Sequence, residues 1–325
     1  MIVVRAPLRL SFFGGGTDFS AYYRRQGGAV VSTAIDKYVF VIVKERFDDK
    51  IYVNYSQKEI VDRVADLKHE LVREAMRLTG VEHGIEITTL ADVPSAGTGL
   101  GSSSAVTVGL LQALYTFQGR IMEYETLARQ ACEIEIDRCG KPIGKQDQYI
   151  AAYGGMRFIR FLPDDSVQTE PLELSLPLAQ RLNRNLLLFY TNATRASSSV
   201  LTEQQGNIPA RLAFLDQMKE IAQRGLACLR QGELDEFGRL LHKSWELKKG
   251  LASGVSNEAI DALYTLAREA GALGGKIAGA GGGGFLLLYC PLDKQDAVRA
   301  ALGRLRELPF AFERDGSKVI FNIQH

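Results

Sequence analysis

Between positions 85 and 89 apolar and polar residues alternate, as on a half-buried strand, whereas from 106 to 115 the apolar residues return at helical spacing. The stretch joining them reads Pro94-Ser95-Ala96-Gly97-Thr98-Gly99-Leu100-Gly101-Ser102-Ser103-Ser104-Ala105. The pattern predicts a strand, a glycine loop and a helix whose N-terminus is capped by serines. Upstream, positions 3–13 read as a strand running into Gly14-Gly15-Gly16-Thr17-Asp18, and 30–44 and 50–55 read as strands of one mixed sheet. Helical periodicity follows around 61–78 and again over 123–138.

Downstream, 156–161 and 167–174 form a strand pair about a Pro163-Asp164-Asp165 turn. Positions 178–185 read as a crossing between domains, after which 186–190 starts a new apolar strand ending in a polar loop over 191–199. Amphipathic helices are predicted at 208–231, 234–251 and 257–270. Seven glycines fall between 274 and 284, joined to a strand at 285–290; a helix at 293–305 and a last strand at 317–323 complete a β-α-β-like second half.

The loop at 94–105 has the chemistry of an anion site. Unsatisfied backbone N–H groups and the positive end of the helix dipole attract phosphate, and three glycines let the backbone close around it. A glycine turn with an ordinary serine cap is the plainer alternative, but three consecutive hydroxyls exceed what one cap requires. A Walker loop is absent from the sequence. A Gly-x-Gly-x-x-Gly spacing occurs at Gly279, Gly281 and Gly284, but a strand-like run follows it where a dinucleotide site needs a helix.

Composition narrows the partner. With 325 residues, 46% of them hydrophobic, the chain can bury one large core or two of ordinary size. A net charge of +1 and a pI near 7.6 give no sign of a nucleic-acid or membrane surface, so the expected partner is a small molecule. No apolar run reaches membrane-spanning length and Met-Ile-Val-Val-Arg reads as a strand, which leads to the expectation of a soluble, cytoplasmic protein. Four scattered cysteines and four dispersed histidines supply neither a zinc site nor a histidine-based triad.

Several charged residues sit among apolar neighbours. Arg5 and Arg9 lie in the first strand, where a buried guanidinium needs an anion; one of them is expected to face a site, the alternative being a solvated edge. On the helix over 123–138, Leu127, Ala128, Ala131 and Ile134 define an apolar arc that includes Glu135 and excludes Glu133. A glutamate there needs a partner, either a metal ion or a structural cation. Asp147, beside Lys145 in Gly144-Lys145-Gln146-Asp147-Gln148, suits a base or a helix cap.

Three segments in order resemble the signature motifs of the GHMP kinase superfamily: Arg5-Ala6-Pro7-Leu8-Arg9-Leu10 with Gly14 to Asp18, the loop 94–105, and Lys276-Ile277-Ala278-Gly279-Ala280-Gly281-Gly282-Gly283-Gly284. The resemblance implies an α+β, two-domain fold, an N-terminal ribosomal-S5-type ATP-binding domain over 1–182 and a ferredoxin-like C-terminal domain over 183–325, with the active site between them. It implies ATP and Mg²⁺ as cofactors. Pro94, Ser95, Ala96, Gly97, Thr98, Gly99, Leu100, Gly101, Ser102, Ser103 and Ser104 would cradle the nucleotide, and Ser103 and Glu135 would hold the metal. Asp147 would be the base, with Arg9 and Lys145 as cationic helpers.

By the same resemblance Gly14, Gly15, Gly16, Thr17, Asp18, Arg195, Gly281, Gly282 and Gly283 would bind the acceptor. Galactokinases carry Glu-His where this chain has Gly15-Gly16, and the Gly-Gly-Gly-Thr-Asp segment is similar to the heptose 7-phosphate kinase branch and its fucokinase neighbours. The expected partner is a small-molecule sugar phosphate phosphorylated at its anomeric hydroxyl. An unphosphorylated sugar is the alternative acceptor, and a catalytically silent sensor the alternative role. Arg195, Lys248, Lys249, Arg24 and Arg25 are candidates to receive the substrate phosphate. Whether the chain pairs as a homodimer is left open.

Overall fold

The computed structural model describes residues 1–94, 97–193 and 197–323. Its first half runs β1 (Ile2–Phe13), α1 (Ser20–Gln26), β2 (Gly28–Glu45), β3 (Ile51–Asn54), β4 (Lys58–Val61), α2 (Glu70–Thr79), β5 (Ile85–Ala91), α3 (Ser102–Phe117), α4 (Tyr124–Cys132), α5 (Gln146–Tyr153), β6 (Met156–Phe161) and β7 (Val167–Pro171). The second half runs α6 (Leu176–Arg184), β8 (Leu186–Tyr190), α7 (Ser197–Asn207), α8 (Leu212–Gln231), α9 (Leu234–Lys249), α10 (Glu258–Glu269), β9 (Gly274–Ile277), β10 (Phe285–Tyr289), α11 (Gln295–Ala301), β11 (Arg306–Glu307) and β12 (Lys318–Asn322).

Two sheets result. One has eight strands in the order β12-β1-β2-β5-β3-β4, with β6 and β7 branching from β2. The branch follows from the length of β2: its residues 28–33 pair with β6 and its residues 39–45 with β5 on the same side. The other sheet has four antiparallel strands in the order β11-β8-β10-β9. Alternation sets the faces, since Ile2, Val4, Ala6, Leu8, Leu10 and Phe12 of β1 are all buried.

α8 and α9 pack between the sheets. Phe237 of α9 meets Phe12 and Phe13 edge-on at centroid distances of 5.2 and 4.9 Å. Gly225 of α8 lies against the Phe13 ring and Gly238 of α9 against Tyr289, where a methyl group would collide.

The last strand departs from the sequence expectation. β12 does not complete the second half; it pairs antiparallel with β1 and closes the outer edge of the first sheet. Alternation identifies a strand but not the edge that lacks a partner, and β1 offers such an edge. The end of the polar loop expected over 191–199 is helical, since α7 begins at 197. Among the described residues, no helix is long and apolar enough to cross a membrane.

Candidate active site

The glycine loop leaves β5 and enters α3 at Ser102. Gly101, with φ of 80°, turns the chain into the helix in a left-handed conformation that favours glycine. Gly99 is constrained by space as well: a Cβ there would lie 2.2 Å from the Ala278 carbonyl oxygen. The loop thus rests backbone on backbone against the glycine segment that follows β9.

Glu135 comes from the continuation of α4. Residues Glu133–Arg138 form a π-helical turn, in which the Cys139 N–H donates to the Ile134 carbonyl at 2.9 Å. Glu135 is fully buried there, while Glu133 pairs with Arg138 on the outer side at 2.6 Å. The Glu135 carboxylate accepts hydrogen bonds from Ser103 Oγ at 2.5 Å, Ser104 Oγ at 2.7 Å and Gln148 Nε2 at 2.7 Å. Lys141 Nζ donates to Ser103 Oγ at 2.9 Å and stands 3.7 Å from Glu135 Oε1 and 3.3 Å from Glu70.

Of the two arginines in β1, Arg9 faces this region. Its Nε and Nη2 donate to the two Asp147 carboxylate oxygens at 2.7 and 2.6 Å, and Nη1 donates to the Gly99 carbonyl. Arg5 turns instead to Glu313 and Asp315 and stacks on Tyr38. Asp147 lies in the first turn of α5, where a carboxylate suits the helix dipole.

Asp18 is buried opposite Asp147, accepting from the Gly16 N–H at 2.9 Å and the Gln146 N–H at 3.3 Å. Burial raises its pKa, and the nearby Asp147 charge adds to that, against the pull of its backbone hydrogen bonds. Gly144 makes room for it, since a Cβ at 144 would lie 2.0 Å from Asp18 Oδ2.

These groups surround two adjoining cavities. The larger, about 380 Å³, is lined by Gly97, Thr98, Gly99, Gly101, Ser102, Ser103, Ser104, Glu135 and Lys141. The smaller, about 80 Å³, is lined by Ser11, Gly15, Gly16, Asp18, Gln146, Lys248 and Lys276. Arg9, Asp147, Ile143, Leu201, Gly279 and Ala280 border both. The Arg9–Asp147 pair therefore stands where the two cavities meet.

Not every expected residue lines them. Lys145 turns away, lying 3.5 Å from Asp165 and over the Tyr23 ring, because Asp165 offers its ammonium a carboxylate that Arg9 already claims at Asp147. Gly281, Gly282 and Gly283 buttress the fold: Gly281 and Gly282 abut Val255, and Gly283 abuts Ala193. It is Gly279 and Ala280 of that segment that reach the cavities. Gly14 packs under Ala29, and Thr17 is tied to the Gly14 and Ala29 carbonyls, so both shape the turn from behind. Pro94 is exposed, and Leu100 is buried with its carbonyl accepting from the Arg9 N–H.

Ser95, Ala96 and Arg195 lie outside the described residues. Of the other basic candidates, Arg24 is paired with Asp165, Arg25 is exposed and Lys249 is paired with Glu246. Of these, Lys248 alone lines either of the two cavities that meet at Arg9 and Asp147, and its Nζ donates to the Gly279 carbonyl. Burial pulls its pKa down to about 8, helped by Arg9 and opposed by Asp18 and Asp147. Sequence reasoning missed Lys141 and Lys276 as site residues. A lysine inside the otherwise apolar strand β9 was the available signal for Lys276.

Both halves match models of one family: residues 58–155 match the GHMP kinases N terminal domain and 226–307 the GHMP kinases C terminal domain. The chain belongs to the GHMP kinases, and it is a phosphotransferase with an alcohol group as acceptor. It is 31% identical to the D-glycero-alpha-D-manno-heptose 7-phosphate kinase of Campylobacter jejuni, over 98% of each chain. It is also 31% identical to the L-fucokinase/L-fucose-1-P guanylyltransferase of Bacteroides fragilis, over 91% of this chain and 35% of that one. Among solved structures, a D-glycero-D-manno-heptose 1-phosphate kinase from Bacteroides thetaiotaomicron superposes with a TM-score of 0.84 at 28% identity, covering all of both chains. The two-domain α+β architecture expected from the motifs is that of this family.

Proposed function

We propose that the chain transfers the γ-phosphoryl group of ATP to the anomeric hydroxyl of D-glycero-D-manno-heptose 7-phosphate, giving the 1,7-bisphosphate. The observation that carries this reading is the meeting of two cavities at Arg9 and Asp147, one walled by the glycine loop and the other by Asp18 and two buried lysines. The full-length likeness to a heptose 7-phosphate kinase supports the acceptor class.

In this reading the backbone N–H groups between Gly97 and Ser104 hold the nucleotide phosphates. Asp18, with its carboxylate facing the smaller cavity, orients sugar hydroxyls. Asp147 accepts the proton of the attacking hydroxyl, and Arg9 keeps that carboxylate in plane while offsetting charge near the transferring group. The reaction needs no covalent enzyme intermediate.

Ser103 and Glu135 suit Mg²⁺. Among the described residues there is no cluster of three or more acidic, histidine or cysteine side chains for a metal. A kinase magnesium site needs none, because one or two protein oxygens suffice when phosphates and water complete the shell. Glu135 is fully buried and takes its three hydrogen bonds from neutral donors, Ser103, Ser104 and Gln148; Lys141 Nζ faces it at 3.7 Å, so a metal ion would share the carboxylate with that lysine. Held there by Ser103 and Glu135, the ion would offset negative charge on the nucleotide phosphates.

The deciding experiment is a coupled ADP-release assay with Mg-ATP and, in parallel, heptose 7-phosphate, free heptose, L-fucose and galactose. Strong preference for the 7-phosphate is expected. Turnover of a free sugar alone would replace the acceptor with an unphosphorylated one, in keeping with the fucokinase likeness.

A further inference from the structure

Two lysines on the wall of the smaller cavity have no ordinary reason to be there. Lys248 is 4% exposed and Lys276 is 2% exposed. Their ammonium groups donate only to backbone carbonyls, Lys248 to Gly279 and Lys276 to Ser11 at 2.8 Å and Phe12 at 3.3 Å; among the described residues neither forms an ion pair. Burying a charge without a counter-charge is costly, so lysines in such places are normally paired or absent. Arg9 adds a third cation to the same wall, but Asp147 neutralises it. Among the described residues, Asp18 is the one remaining carboxylate lining that cavity.

A second observation points to a ligand. Ser11 is 6% exposed, its Oγ has no hydrogen-bond partner among the described residues, and it borders the same cavity, its own carbonyl being one of the two that hold Lys276. A buried hydroxyl donor and two unpaired ammonium groups around one space make a receptor for a tetrahedral oxyanion. Neither lysine borders the larger cavity of the glycine loop. We propose that Lys248, Lys276 and Ser11 form the subsite that receives the phosphate already carried by the acceptor and so select a phosphorylated substrate over a free sugar. This rests on the functional reading above and assigns its phosphate selectivity to three residues.

The shared chemistry is a phosphate monoester, and it has two sources, the acceptor's own phosphate and the phosphoryl group in transfer. Inorganic phosphate separates them. It is expected to inhibit competitively against the acceptor and not against ATP, and the inhibition is expected to weaken in Lys248→Met and Lys276→Met. Each variant should raise KM for heptose 7-phosphate by roughly tenfold or more, the scale of a charge-assisted hydrogen bond, while KM for ATP and kcat/KM for free heptose change by less than about threefold. Competition against ATP alone, or equal losses with the phosphorylated and free sugars, would overturn the assignment.

Because Lys276 ties β9 to β1, its variant is checked for folding by thermal melting, and Ser11→Ala with Lys248→Met carry the test if it does not fold. Phosphate binding to the resting protein, followed by ³¹P line broadening, reads the pocket without any acceptor. Binding that is lost in the variants, together with no turnover of either heptose, would sink the functional reading and leave the oxyanion pocket standing. No phosphate binding despite turnover of heptose 7-phosphate would do the reverse.

Discussion

Arg9 and Asp147 meet at two points, Nε to Oδ1 at 2.7 Å and Nη2 to Oδ2 at 2.6 Å, across the border of the two cavities. A forked guanidinium fixes the plane of a carboxylate in a way that a lysine cannot. The pair also ties β1 to the start of α5, so the geometry at the cavity junction depends on both elements.

The first prediction tests that carboxylate. Asp147→Asn keeps the shape of the side chain and removes its basicity, so kcat should fall by roughly 10² or more, the scale of general-base loss. Steady-state kinetics on a preparation with an unchanged circular dichroism spectrum decides it. Near-normal turnover would take Asp147 out of the base role.

The local part of this site was legible in the sequence, and the long-range part was not. The loop at 94–105 announces itself because its glycines, hydroxyls and helix start are contiguous. Glu135 could be chosen over Glu133 from the apolar arc, although the π-helical turn that carries it leaves no mark in the residue pattern. Lys145 and Lys141 show the limit. Both flank the same loop, and only the fold decides that Lys145 finds Asp165 while Lys141 reaches Ser103. β12 could be recognised as a strand, but its partner lies more than 300 positions away in sequence, as the Ile2–Asn322 pairing shows.

The second prediction concerns the metal. Ser103 and Glu135 share a 2.5 Å hydrogen bond, and Lys141 donates to the same serine at 2.9 Å. Glu135→Gln and Ser103→Ala should each raise the Mg²⁺ concentration for half-maximal rate, by about 10- to 100-fold for the carboxylate and by less for the hydroxyl. A titration of rate against free Mg²⁺ at saturating nucleotide checks this, and unchanged half-saturation would place the ion elsewhere. Adding a chelator in excess of the ion should abolish turnover.

Gly144→Ala probes the acceptor side without removing a charged group. The added methyl would sit 2.0 Å from Asp18 Oδ2, so the carboxylate must shift from the Gly16 and Gln146 N–H groups that hold it. KM for the acceptor should rise by about tenfold or more, as expected for a lost hydrogen bond to a charged group, with KM for ATP little changed. Equal effects on both substrates, measured in the same assay, would mean that the turn supports the whole site and not Asp18 in particular.

The last prediction is a pH dependence. Burial, with Arg9 nearby, holds the Lys248 pKa at about 8, against an ordinary value of 10.5, while Asp18 and Asp147 pull it back up; neighbouring Lys276 is itself lowered. Below about pH 8 Lys248 carries its charge and can receive a phosphate; as pH rises through 8 it becomes neutral. The value of kcat/KM for the phosphorylated acceptor should therefore fall above about pH 8, and that limb should weaken in Lys248→Arg, whose guanidinium stays charged, leaving only what Lys276 contributes. A bound phosphate favours the charged form, so the corresponding limb in kcat should lie at higher pH than that in kcat/KM. Stability runs the opposite way. Between about 8 and 10.5 the unfolded chain holds a proton that the folded one has released, so this residue makes the protein more stable as pH rises across that window. Urea melts at pH 7.5 and 9.5 of the wild type and of Lys248→Met separate the two effects, since the methionine variant should lose this lysine-dependent gain.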